Sequence, residues 1–222
     1  MKILIDIGHP AHVHYFKNLI RILKKKNHEI AITARDKEIS LYLLDKYGFK
    51  YKCTGKNKPS VLGKAISLIR NDFLIYKEAR KFKPVIFLSF FTPFAAHVGK
   101  ILNKPVIGFN DTENAKLSIM LAKPFTDIIV IPSCYSGYIP EKKMIEFNGY
   151  MELAYLHSHY FRPDSFIFEF LGLKTGNKYI IIRFVSWKAS HDLGHSGISL
   201  DMKRKAVNEF EKYAKVFISS EK

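Results

Sequence analysis

Apolar residues in this chain come in short dense runs that alternate with stripes of helical spacing. Residues 2–7 read Lys-Ile-Leu-Ile-Asp-Ile, a nearly unbroken β-branched run of the kind buried on both faces of a parallel sheet. Gly8, His9, Pro10, Ala11, His12, Val13 and His14 follow as a predicted loop. Tyr15, Phe16, Leu19, Ile20, Ile22 and Leu23 then recur at helical spacing until a run of lysines at 24–26 ends the pattern. The first unit is therefore strand, loop, helix. In open α/β sheets ligands sit beyond the carboxyl ends of strands, so the histidine-bearing loop lies where chemistry is expected.

The same rhythm continues. A strand is predicted at 28–34, a helix at 37–47 stopped by Gly48, and a short strand at 49–53. A basic, glycine-bearing loop runs over 54–64, before a long amphipathic helix to about Lys83. Strands follow at 85–89, 105–109 and 127–131, the first two separated by a helix carrying His97. Strands alternating with helices, joined by right-handed crossovers, predict a doubly wound, Rossmann-like parallel sheet. After Pro132 the rhythm breaks into turns and a short strand at 145–147. It resumes with a strand at 179–184, a loop at 185–194, a helix at 200–213 and a strand at 216–219. This reading gives an N-terminal Rossmann-like domain over 1–157 and the start of an incomplete second one over 158–222.

With 222 residues and 47% hydrophobic content the chain can bury a substantial core. No apolar run reaches the roughly 18 residues of a spanning helix, and nothing resembles a signal peptide. Cys53 and Cys134 lie far apart in no ligand spacing, which predicts reduced thiols and a cytoplasmic setting. The net charge of +16 is either a solvated surface or a sign of an anionic partner: lipid, a phosphorylated substrate or nucleic acid. No helix-turn-helix, zinc finger or aromatic single-strand platform is present, which argues against nucleic acid.

The residues themselves nominate several sites, each with a plainer alternative. His9, His12 and His14 alternate without an acidic ligand at fixed spacing, which disfavours a metal site. Gly8 serves a tight strand-to-helix turn, and the amides behind it suit a phosphate. The full G-x-G-x-x-G spacing is missing, so no dinucleotide cofactor is expected. Asp111 and Glu113 suit either a cleft or helix capping. The second-domain loop offers Arg183, Ser186, His191 and Asp192, with a solvated loop as the alternative.

The run from Ile5 to Phe16, with Thr33, Ala34, Arg35 and Asp36 and with Phe184, Val185, Ser186 and Trp187, resembles the family catalogued as domain of unknown function 354, over essentially the whole chain. That family is similar to GT-B glycosyltransferases and UDP-N-acetylglucosamine 2-epimerases, which place an active site between two Rossmann-like domains. The resemblance implies an N-terminal GT-B domain, a second domain that continues for another hundred residues or so in relatives, and a UDP-linked sugar as partner. Asp111-Thr112-Glu113-Asn114-Ala115 is also similar to a His-Glu-Gln-Asn-Ala stretch of the N-acetylglucosaminyltransferase that makes lipid II, which has a Gly-His-Val turn where this chain has Ala11-His12-Val13. The resemblance implies His12 as general base, with His9, Asp111 and Glu113 as catalytic partners. Gly8 and Asn114 would bind substrate, and Arg183, Ser186, His191 and Asp192 would approach a diphosphate.

The expected function is thus that of a GT-B-like glycosyltransferase or nucleotide-sugar-processing protein with an unknown acceptor, inactive where its second domain is incomplete. The alternative is a non-catalytic basic module for anionic lipid or nucleic acid. Lys56, Val61, Leu62 and Lys64 mix charge and apolar surface, and predict peripheral contact with an anionic inner membrane face.

Overall fold

The computed structural model of the chain describes residues 1–56, 61–184 and 197–220, the side chains of residues 61, 62, 64, 65 and 220 excepted. Two compact units result, Met1–Phe161 and Arg162–Lys222. Unit 1 holds strands β1 (Lys2–Ile7), β2 (Glu29–Ala34), β3 (Lys52–Cys53), β4 (Ile86–Ser89), β5 (Val106–Phe109), β6 (Ile128–Pro132) and β7 (Met144–Phe147). All neighbours pair in parallel, in the order β3-β2-β1-β4-β5-β6-β7. The expected α/β, doubly wound architecture is present. The crossover direction reverses between β1 and β4, so the ligand crevice of such sheets falls at the carboxyl ends of these strands.

The alternation of β1 explains its depth. Ile3, Ile5 and Ile7 enter one apolar cluster with Val13, Phe16, Ile20 and Leu44, while Leu4 enters the other with Ile75, Phe87, Val98 and Val106. Helices α1 (Pro10–Lys25), α2 (Ser40–Lys46), α3 (Val61–Phe82), α4 (Pro93–Ile101), α5 (Lys116–Ala122) and α6 (Leu153–Leu156) complete the unit. Asn18 Nδ2 on α1 donates to the Ala154 carbonyl of α6 at 2.8 Å, which brings the segment after β7 back over α1.

Three departures from the sequence expectation bear on the site. Helix α1 starts at Pro10, so His12 and His14 stand on its first turns and not in a loop. Pro10 has its φ preset for a first helical position, and His9 caps the helix through Nδ1, which accepts from Ala11 N at 3.2 Å. Helix α3 starts at Val61, which places Val61, Leu62 and Lys64 on a helix and not in the preceding loop, although their side chains lie outside the described residues. Strand β7 joins the sheet beside β6.

Unit 2 pairs β8 (Tyr179–Phe184) in parallel with β9 (Lys215–Ser220), with α7 (Phe166–Phe170) and α8 (Leu200–Glu211) alongside them in sequence. Among the described residues no helix is long and apolar enough to cross a membrane.

Candidate active site

The site begins where β1 ends. Asp6, fully buried, accepts from Thr33 Oγ1 at 2.8 Å through Oδ1 and from Thr92 Oγ1 at 2.6 Å through Oδ2. Burial pushes its carboxyl above the ordinary value, while the Arg35 charge and the two hydroxyls pull the other way. Arg35 follows β2, with its backbone N–H on the Ile7 carbonyl. A Cβ built on Gly8 would run into the Arg35 guanidinium, so the guanidinium lies where any other residue would carry a side chain. Its Cζ stands 4.8 Å from the centre of the Phe94 ring, a cation–π contact, and its Nε is buried without a hydrogen-bond partner among the described residues.

One turn into α1, His12 Nδ1 accepts the Gly8 N–H at 3.2 Å. Burial first, then the charges of Arg35, His9 and Lys37, hold the His12 imidazolium well below the ordinary 6.5. The ring packs 4.7 Å from Phe90, and Tyr15 stacks on the same Phe90 at 4.8 Å. Phe90 sits between Ser89, the last residue of β4, and Phe91, a buried residue in the left-handed region at φ 50°. Backbone strain of this kind collects at functional sites.

Tyr15 carries the ridge to the carboxylates. Its hydroxyl donates to Glu152 Oε1 at 3.3 Å and lies beside Asp111 as well. Burial and these two negative charges push the phenol far above its ordinary 10.0. Asp111 is itself raised, first by burial and then by the Glu152 charge, against hydrogen bonds from Thr112 Oγ1 at 2.9 Å and from Tyr15. A half-buried carboxylate with a raised pKa, beside a row of aromatic rings, is suited to accepting a proton from a ligand that packs against those rings.

The expected residues divide. His12 and Asp111 are linked through Phe90 and Tyr15. Glu113 instead accepts from Ser136 N at 3.0 Å and from Ser136 Oγ at 3.4 Å, and the Ser136 amide holds its carboxyl below the ordinary 4.5. Asn114 is exposed. Helix capping is not what Asp111 and Glu113 do: α5 has Ala115 as its N-cap, with no side-chain cap. His9 Nε2 lies 3.9 Å from Glu38, and His14 meets the Tyr47 hydroxyl at 3.2 Å. Among the described residues no group of three His, Cys, Asp or Glu side chains could hold a metal ion. Arg183 lies on β8 in unit 2, while Ser186, His191 and Asp192 lie outside the described residues.

Sequence reasoning missed Asp6, Tyr15, Arg35, Phe90 and Glu152 as site residues. Tyr15 was legible only as a core position of an amphipathic helix. With α1 starting at Pro10, however, Tyr15 is the i+3 neighbour of His12 and shares its face.

The fold is shared with several solved structures. The UDP-GlcNAc 2-epimerase of Neisseria meningitidis, bound to UDP-GlcNAc, superposes with a TM-score of 0.73 at 16% identity, over 100% of this chain and 66% of that one. The Methanocaldococcus jannaschii UDP-GlcNAc 2-epimerase in complex with UDP-GlcNAc and UDP gives 0.68 at 14% identity, with 100% and 66% covered. MurG of Acinetobacter baumannii gives 0.56 at 10% identity, with 99% and 68% covered. In sequence, an uncharacterized protein of Methanocaldococcus jannaschii is 28% identical over 190 residues, 82% of this chain and 56% of that protein. The chain thus spans a little over half of this relative and about two thirds of the similar structures. The model of the family described as Protein of unknown function (DUF354) matches residues 1–220, and the chain belongs to that family.

Proposed function

We propose that unit 1 carries the sugar-reacting half of a nucleotide-sugar enzyme, a GT-B-like glycosyltransferase or an epimerase-like protein acting on a UDP-linked sugar. The observation that supports this reading is the grouping of His12, Tyr15, Phe90 and Asp111 at the carboxyl edge of a sheet shared with proteins that bind UDP-GlcNAc. In this reading the aromatic rings meet the apolar face of a pyranose, and Asp111 and Glu152 accept from its hydroxyls. Asp111, the more buried of the two, takes the proton. Arg183, with Ser186, His191 and Asp192, is assigned to the diphosphate on the family resemblance alone.

Because the chain spans about two thirds of the similar structures, the chain by itself is expected to bind UDP-GlcNAc very weakly and without turnover. Tight binding by calorimetry would move the donor site elsewhere. Saturation-transfer NMR detects weak contact: transfer is expected to the sugar-ring protons, and to fall several-fold in Asp111→Asn and in Tyr15→Phe. Absence of transfer, or transfer that both variants leave intact, would sink the reading.

Peripheral contact with anionic lipid is a second reading, favoured by one observation. Ile66, Ile69 and Phe73 stand on one stripe of α3 with exposures of 49%, 70% and 63%, while Ile75 and Ala79 on the opposite side are buried. Lys56 and Lys77 are exposed beside this stripe in the sequence. Co-sedimentation with anionic but not neutral vesicles is expected, weakened by salt and by Ile69→Ser with Phe73→Ser. Equal indifference to both vesicle types leaves the charge to solvation alone.

A further inference from the structure

We propose that His12 is held as a neutral imidazole that offers its Nε2–H to a substrate oxygen as a hydrogen-bond donor, and that the Gly8 amide and the Arg35 guanidinium hold it so. A backbone amide can only donate, so the 3.2 Å contact from Gly8 N makes Nδ1 the acceptor. The one proton of the neutral ring then resides on Nε2. Protonating Nδ1 would set two N–H groups against each other. It would also add a positive charge beside Arg35, with His9 and Lys37 as the other titratable groups acting on the ring. Phe90, packed on the ring from the end of β4, brings no compensating charge. Burial works in the same direction, and the imidazolium is disfavoured well below 6.5.

Gly8 acts twice in this arrangement. It gives its N–H to His12, and its missing Cβ leaves the place that Arg35 fills. The general-base role expected for His12 does not fit this geometry, because its unprotonated nitrogen is already engaged. A proton that leaves a substrate O–H or C–H goes instead to an Asp111 oxygen, and the electron pair of that bond stays on the substrate atom. The His12 Nε2–H stabilises the negative charge that develops, without leaving the ring. The substrate part of this inference rests on the proposed function; the protonation state of His12 does not.

The test is histidine-detected NMR on the 15N-labelled chain, with His12 assigned by the signal lost in His12→Gln. A bare Nδ1 and a protonated Nε2 are expected to persist from about pH 8 to about pH 5. Arg35→Met should move the titration of the ring up toward 6.5, and Lys37→Met, an exposed change, should do so to a smaller extent. An Nδ1–H signature, or titration near 6.5 in the unaltered chain, would overturn the proposal. Added UDP-GlcNAc should shift the Nε2–H resonance. Saturation transfer without that shift overturns the donor role, whereas no saturation transfer overturns the proposed function, and with it the substrate part, while the tautomer is decided by the first measurement.

Discussion

Asp6→Ala is expected to lower unfolding stability by about 1–3 kcal/mol for each of the two buried hydroxyls left without an acceptor. Thr33 and Thr92 would lose their acceptor, and Arg35 would lose the negative charge behind it. Asp6→Asn keeps an acceptor and the side-chain shape, so it is expected to cost far less. The two variants should also diverge with pH. Burial raises the folded pKa of Asp6 above its ordinary 3.8, so its stabilising contribution is complete below about 3.8 and is lost as pH rises through the raised value. The neutral Asn variant lacks this loss, and should gain on the unaltered chain over that window. Urea melts at several pH values measure both effects, and an alanine variant as stable as the unaltered chain would show that Asp6 is not the anchor of this edge.

Gly8→Val is the second large effect expected. The valine side chain needs the volume that the Arg35 guanidinium occupies, and Arg35 is pinned between the turn and the Phe94 ring. Driving it away combines overpacking, about 1–3 kcal/mol, with a lost cation–π contact of about 0.5–2 kcal/mol. A total of about 1.5–5 kcal/mol is expected in thermal or urea unfolding. The variant should also raise the titration of His12, because the departing guanidinium is the largest charge acting on that ring. A variant that melts with the parent and leaves the His12 titration unchanged would mean that Arg35 has free room to move.

The strand pattern was legible because each run of 2–7, 85–89 or 105–109 is apolar on both sides, which only a covered parallel sheet tolerates. The start of α1 was not legible, because histidine replaces the usual Ser, Thr, Asp or Asn at its N-cap. Asp111 was legible from its place after a strand. Glu113 looked equivalent two residues on, yet the chain turns it toward Ser136. Arg35, Phe90 and Glu152 were illegible as partners of the histidine turn, since only the order of strands β2, β1 and β4 and the return of α6 over α1 bring them near it.

That strand order also dictates when the crevice can assemble. The two hydroxyls on Asp6 come from residues 27 and 86 positions away, so one closes a short loop and the other a long one. The longer closure is costlier by about 1 kcal/mol of chain entropy. Loop closure alone thus favours pairing of β1 with β2 before β4 docks, so Thr92 and Phe90 are expected to join this edge after Thr33. The edge around Asp6 is in this way expected to be completed late in folding, and to open first if β4 pulls away.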